Sequence, residues 1–176
     1  MAEFTALLSA APRKEKANVT EKMTMEDIAA RVGDTLEPSP WLEITQERVN
    51  QFADATSDHQ FIHVDPEKAA LTPFGGPIAH GFLSLSLLTY LNSSSTVAPH
   101  NMLMGINYGS DKVRYLQPVR VGQRVRSVQK LLEASEKRPG QWLMKHDVTV
   151  EIEGEETPAL IAVILSMIIV DTEKND

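Results

Sequence analysis

Apolar residues fall at helical spacing up to Leu91 and alternate with polar ones from Met102 onward. Phe4, Leu7, Leu8 and Ala11 form one helical stripe closed by Pro12, and the charged run Arg13-Lys14-Glu15-Lys16 follows. Residues 1–20 are therefore expected to be an arm and linker, either docked on the domain or on a second subunit, or a frayed terminus. The run is too short and lacks the basic start of a secretory signal. A second helical segment, Thr24 to Val32, has Thr24 as its cap, Asp27 as a capping acid and Gly33 as its stop. Asp34 to Glu43 reads as extended. A third helix begins at Thr45, where Ile44 and Val49 occupy staple positions and Glu47 complements the dipole; it ends near Thr56. Asp65-Pro66 opens a helix of one or two turns that closes near Leu71.

After the breaker Phe74-Gly75-Gly76-Pro77 the pattern changes. His80-Gly81 leads into Phe82, Leu83, Leu85, Leu87, Leu88, Tyr90 and Leu91, interrupted only by Ser84, Ser86 and Thr89. A helix apolar on nearly every side is a buried one, and this one falls short of the ~20 apolar residues of a membrane span. Asn92 to Ala98 reads as a loop. Strands are expected at Met102–Tyr108, Asp111–Gln117, Arg124–Ala134, Trp142–Ile152 and Pro158–Val170, divided by Gly109-Ser110, Val121-Gly122, Arg138-Pro139-Gly140 and Glu153-Gly154. Val148, Val150 and Ile152 alternate with Thr149 and Glu151, as in a sheet with one wet face. Leu160 to Val170 is almost unbroken apolar, so cover on both faces is expected. Helices first and strands after give an α+β class, an antiparallel sheet around one buried helix. No internal repeat is present, so residues 21–176 form a single domain.

Composition narrows the function. The 176-residue chain is 42% hydrophobic and 23% charged, an ordinary globular balance. Its net charge of −7 argues against a nucleic-acid partner. With no cysteine there is no disulfide framework, thiolate metal site or cysteine nucleophile, which fits a cytoplasmic location.

The candidate chemistry lies between Phe52 and Leu91. Asp58, His59 and His63 crowd onto one expected loop ahead of the His80-Gly81 helix start. A carboxylate and an imidazole holding one water can act as general base and acid; equally, Asp58 can make a local turn and His63 can bond to backbone. Gly81 at a helix start offers a free N–H to a developing oxyanion, or simply permits a tight entry. His59 and His63 would share a face as metal ligands only if their segment were helical; Phe61-Ile62 reads as loop, so no metal is expected. His80 is expected to orient the helix entry. Lys112, Arg114, Arg120, Arg124 and Arg126 make a locally basic stretch; most read as a solvated strand face, and Arg114 and Lys112 are the candidates for steering an anionic cofactor group.

The stretch resembles the MaoC-like (R)-specific enoyl-CoA hydratases of the hotdog fold, in a branch that includes proteins named nodulation protein N. Phe52, Asp58, His63, Ala69 and Pro77-Ile78-Ala79-His80-Gly81-Phe82-Leu83 match the family pattern. Ser57 stands for its glycine, Gln60 for its asparagine and Phe61 for its proline. The resemblance implies a hotdog domain that hydrates trans-2-enoyl-CoA reversibly to (R)-3-hydroxyacyl-CoA, with Asp58 and His63 sharing a water. It also implies the Gly81 N–H as oxyanion donor and the Thr89 hydroxyl orienting the carboxylate, where a core threonine bonded to its own helix is the alternative. Coenzyme A enters as part of the substrate and no other cofactor is required. A hotdog acyl-CoA thioesterase and a non-catalytic acyl-CoA-binding scaffold are the alternative functions. A single hotdog unit leaves a sheet edge open, and the surplus apolar surface of Leu160 to Val170 adds to the expectation of a homodimer joined edge to edge.

Overall fold

The computed structural model describes residues 21–93 and 97–173; the expected arm at 1–20 lies outside them. The chain begins with β1 (Glu21–Met23) and α1 (Met25–Ala29), whose cap Thr24 accepts the Asp27 N–H at 3.0 Å. A short edge strand, β2 (Leu42–Glu43), precedes α2 (Gln46–Thr56), where Thr45 accepts the Arg48 N–H at 3.2 Å. Next come α3 (Phe61–Val64) and α4 (Pro66–Ala70), the latter capped by Asp65 on the Lys68 N–H at 3.0 Å. The α3 turn corrects the expected loop. It is closed by His63 N–H to Gln60 O at 2.9 Å and Asp65 N–H to Phe61 O at 3.0 Å, bonds that no cap residue signals.

The central helix is α5 (Gly81–Ser86) and α6 (Leu88–Asn92), parted at Leu87. Leu83, Ser84, Leu87, Leu88 and Leu91 are buried, but Phe82 is 69% exposed and Tyr90 61%. The expectation of burial all round is thus corrected: the sheet covers one side of this helix and leaves the other open. Within the expected loop 92–98 lies the start of β3 (Val97–Pro99), which pairs in parallel with β1.

The remaining strands are β4 (Met102–Tyr115), β5 (Arg124–Arg138), β6 (Gln141–Ile152) and β7 (Leu160–Val170). They form an antiparallel sheet ordered β2-β5-β6-β7-β4. The two strands expected on either side of Gly109-Ser110 are one strand, because register shifts between Asn107 and Gly109 and between Ser110 and Lys112 absorb the break. The edge is β4, while the apolar β7 lies between β6 and β4 and is half-buried over most of its length. Met102, Leu103, Met104, Ile106 and Tyr108 are all exposed along that edge.

Two clusters form the core. One joins Ile44, Val49, Leu83, Leu87, Leu91, Val148 and Leu160 beneath α2 and the central helix. The other joins Met25, Ile28, Leu131, Trp142, Met144 and Val170 under α1. No helix among the described residues is long and apolar enough to cross a membrane.

His146 sits on β6 between Leu131 and Ile164 of the flanking strands. Burial lowers its pKa from 6.5 to about 4. Between those values the unfolded chain binds a proton there and the folded chain does not. Stability therefore falls as pH drops below 6.5 and is fully present above it. His146→Leu should remove about 2 kcal/mol of the stability lost between neutral pH and about pH 5, measured by urea unfolding. An equal acid loss in variant and wild type would assign the effect elsewhere.

Candidate active site

Two chain segments cross to build the site, one after α2 and one before α5. The first turns at Ser57, the C-cap of α2, whose φ of 60° places it in the left-handed region. Ser57 is the non-glycine residue with positive φ among those described. The turn delivers Asp58, whose N–H bonds to Ala53 O at 3.1 Å, and α3 then presents His63. The second segment is laced to the first by Ile78, whose N–H bonds to Ile62 O at 3.0 Å and whose carbonyl accepts from His63 Nδ1 at 2.7 Å. Ala79 N–H to Val119 O and Val121 N–H to Pro77 O, at 2.8 and 2.9 Å, tie this segment to the sheet side of the molecule. Gln46 Nε2 also donates to His63 O at 2.7 Å.

A nitrogen that donates to a carbonyl must carry the proton, so the neutral His63 ring has Nδ1–H and a bare Nε2. His63 is buried and Asp58 is exposed. His80, buried at the N-cap of α5, donates from Nε2 to Asp58 O at 2.9 Å and stacks on His63 with centroids 3.8 Å apart. Its Nδ1 is buried without a partner. Burial lowers the pKa of His63 below 6.5; the bond to Ile78 O opposes this, the neighbouring His80 adds to it, and Asp58 opposes it weakly. The ring is accordingly neutral at physiological pH.

One carboxylate oxygen of Asp58 and one ring nitrogen each of His63 and His80 lie within 4.8 Å of one another. Three such residues have the composition of a metal site. Two stacked rings, however, aim their lone pairs side by side, and each already commits one nitrogen to a backbone carbonyl. The arrangement suits a shared water better than a shared ion. His59 turns away, bonding to Asp54 at 2.9 Å.

Beside this trio opens a cleft of about 350 Å³ lined by His63, Ile78, Gly81, Ser84, Tyr115 and Val119 among others. Gly81 is the first residue of α5, so its N–H has no partner within the helix. The ring of Tyr115 covers it so closely that an added Cβ would lie 3.1 Å from a ring carbon. A side chain here would have to push that ring aside by a few tenths of an ångström.

With this geometry in place the comparisons are decisive. The MaoC like domain family matches residues 27–155. The chain belongs to that family. It is 48% identical over 142 residues to nodulation protein N of Rhizobium meliloti, covering 80% of this chain and 88% of that protein. It is 46% identical over 139 residues to 3-hydroxyacyl-thioester dehydratase Z of Mycobacterium tuberculosis, covering 79% and 91%. In fold it matches an (R)-hydratase from A. caviae involved in PHA biosynthesis, with a TM-score of 0.62 at 24% identity over 77% of this chain and 94% of that one. The curled sheet around α5 and α6 is the hotdog arrangement.

In this MaoC-like chain, then, Asp58, His63 and Gly81 come together. Thr89 does not join them in the cleft: it is exposed on α6 and has no side-chain hydrogen bond to a described residue. Ser84, buried one turn after Gly81 and facing the cleft, is the hydroxyl placed near His63. Its position three residues past Gly81 was a readable helical signal. Lys112 and Arg114 are exposed on β4 and, by strand alternation, face away from the side that Tyr115 presents to Gly81. Tyr115 had no sequence signal, because its contact with Gly81 depends on how the sheet curls.

The strain at Ser57 yields a prediction. Glycine adopts the left-handed region at no steric cost. Ser57→Gly should therefore stabilise the fold by about 1 kcal/mol without loss of activity, measured by chemical denaturation. Destabilisation would mean that the serine hydroxyl contributes more than its backbone costs.

Proposed function

We propose that this protein is an (R)-specific enoyl-CoA hydratase, adding water reversibly to trans-2-enoyl-CoA to give (R)-3-hydroxyacyl-CoA. The observation that carries the reading is a neutral, buried His63 with a ring nitrogen within 4.8 Å of an Asp58 carboxylate oxygen, beside a cleft lined by His63 and Gly81. Water held between Asp58 and His63 gives a proton to the pair as its oxygen bonds to C3 of the enoyl group. The electrons move onto the thioester oxygen, where the Gly81 N–H stabilises them. As the carbonyl reforms, the pair returns a proton to C2. Atoms balance, and no redox cofactor takes part. The 46% identical dehydratase supports the reaction class.

The exposed apolar edge β4 and the open side of α5 and α6 support a homodimer joined through β4. On this reading the acyl-CoA lies against both subunits, which gives Lys112 and Arg114 of one subunit a route to the CoA phosphates bound at the other. An acyl-CoA substrate and a cysteine-free chain fit a cytoplasmic enzyme.

Loss of the enoyl-CoA absorbance on mixing with protein is the primary test; unchanged absorbance with both short and medium chains would exclude hydration. Release of free thiol with the double bond intact would identify a thioesterase instead. Asp58→Asn and His63→Ala should each lower kcat about a hundredfold or more, and the double variant little further, since one water serves both groups. The wild-type rate should fall with acid below pH 6.5, as His63 gains the proton that its lowered pKa keeps off at neutrality. Ile106→Glu, a charge on the β4 edge, should shift the mass seen by light scattering from twice 19.5 kDa towards one chain, with activity lost in parallel. A fully active monomer would separate catalysis from assembly.

A further inference from the structure

His80 is the N-cap of α5, yet its side chain makes no cap bond to that helix. At an N-cap the side chains of Ser, Thr, Asp or Asn accept a helix N–H, and this histidine gives that contact up. Its ring is 3% exposed and turns instead towards the preceding turn, where Nε2 donates to Asp58 O at 2.9 Å. A nitrogen that donates to a carbonyl holds the proton, so in the neutral ring Nδ1 is a bare acceptor. That Nδ1 is buried without a partner among the described residues. A forgone cap and an orphaned buried nitrogen both cost stability. Neither is what a residue kept for the helix start alone would show, and a buried unpaired group of this kind calls for a functional explanation.

The ring touches both halves of the acid–base pair. Its Nε2–H holds the main chain of Asp58, and its plane stacks on His63 with centroids 3.8 Å apart and 29° between the planes. Phe52 packs against the same ring, with centroids 5.1 Å apart, and helps to keep it in place. Asp58 is exposed, and its main chain is held by its own N–H on Ala53 O and by the bond from His80 to its carbonyl. We propose that His80 is a positioning residue for hydration, setting through Nε2–H where the Asp58 carboxylate stands and through its stacked ring where the His63 imidazole stands. The proposal rests on the hydratase reading above and adds to it a residue that acts through the pair. The electrostatics around His63 point the same way. Burial is the largest cause of its lowered pKa, the bond to Ile78 O opposes it, His80 adds to it, and Asp58 opposes it. Tyr115, which lines the same cleft, is kept neutral by burial. Without the imidazole of His80, His63 should hold its proton to higher pH.

The test compares the full wild-type chain with His80→Phe, which keeps a ring for the stack but has no donor and no titrating nitrogen, and with His80→Gln, whose amide keeps a donor. With crotonyl-CoA, His80→Phe should lower kcat about tenfold to a hundredfold, the scale of a misplaced catalytic group, and change KM less than about threefold. Its acid limb should move to higher pH, and His80→Gln should recover part of the kcat. In a His63→Ala background the same His80→Phe change should cost less than about twofold, because the group it serves is already gone. Equal losses in both backgrounds would mean a purely structural role and overturn the proposal, as would a folded His80→Phe protein with wild-type kcat and acid limb. If His80→Phe does not fold, His80→Gln takes its place, with a smaller loss expected and the same dependence on His63. Titration of the His63 ring nitrogens by NMR of ¹⁵N-labelled protein reads the coupling without substrate. If wild type leaves crotonyl-CoA unchanged but His80→Phe moves that titration upward, the hydratase reading fails and the coupling stands. If crotonyl-CoA is hydrated and the titration does not move, the positioning role is overturned and the hydratase reading stands.

Discussion

The site depends on one hydrogen bond, from His63 Nδ1 to the carbonyl of Ile78 at 2.7 Å. It fixes the tautomer of a buried imidazole and leaves the other nitrogen free. The bond exists because Ile78 is itself held by Ile62, so that the segment before α5 and the turn α3 are fastened to each other through main chain and ring alike. His80 extends the same device: one nitrogen reaches back to Asp58 O while the ring stacks on His63. A helix start and a turn are thereby joined into a single support. A proton-transfer pair needs that rigidity, because its groups must be held within hydrogen-bond reach of one water.

The surrounding fold is asymmetric in a way that serves this support. The sheet covers one side of α5 and α6, while the other side and the β4 edge expose large apolar residues. Such surface is costly in water and prone to adventitious strand pairing, and it is the surface that the proposed homodimer would cover. The concave face is also uneven. The first core cluster packs one part of it, while Gln129, His146 and Ser166 line a cavity of about 340 Å³ in another.

Much of this could be read from the chain because the signals were local. The side chains of Thr24, Thr45 and Asp65 cap helices by accepting from N–H groups three residues on, and periodicity placed β5, β6 and β7 within a few residues. The spacing of Asp58, His63 and Gly81 was legible through family resemblance, which carries information that loop spacing lacks. What stayed hidden depends on distant partners. The turn at Phe61–Val64 has no cap, β3 needs β1 to be a strand, and the continuity of β4 needs β7 to accommodate its bulges. The exposure of Phe82 and Tyr90 follows from which side the sheet covers, a property of topology rather than of the helix's own composition. Ser57 was visible as a departure from the family's glycine, but its left-handed backbone was not.

The central claim is that His63 is a neutral imidazole with its proton on Nδ1 and its Nε2 bare. Nitrogen NMR of the ¹⁵N-labelled ring at neutral pH reads this directly. The account predicts a protonated Nδ1 and an unprotonated Nε2 for His63, lost together when the ring is replaced in His63→Ala. A proton on Nε2, or on both nitrogens at neutral pH, would contradict it.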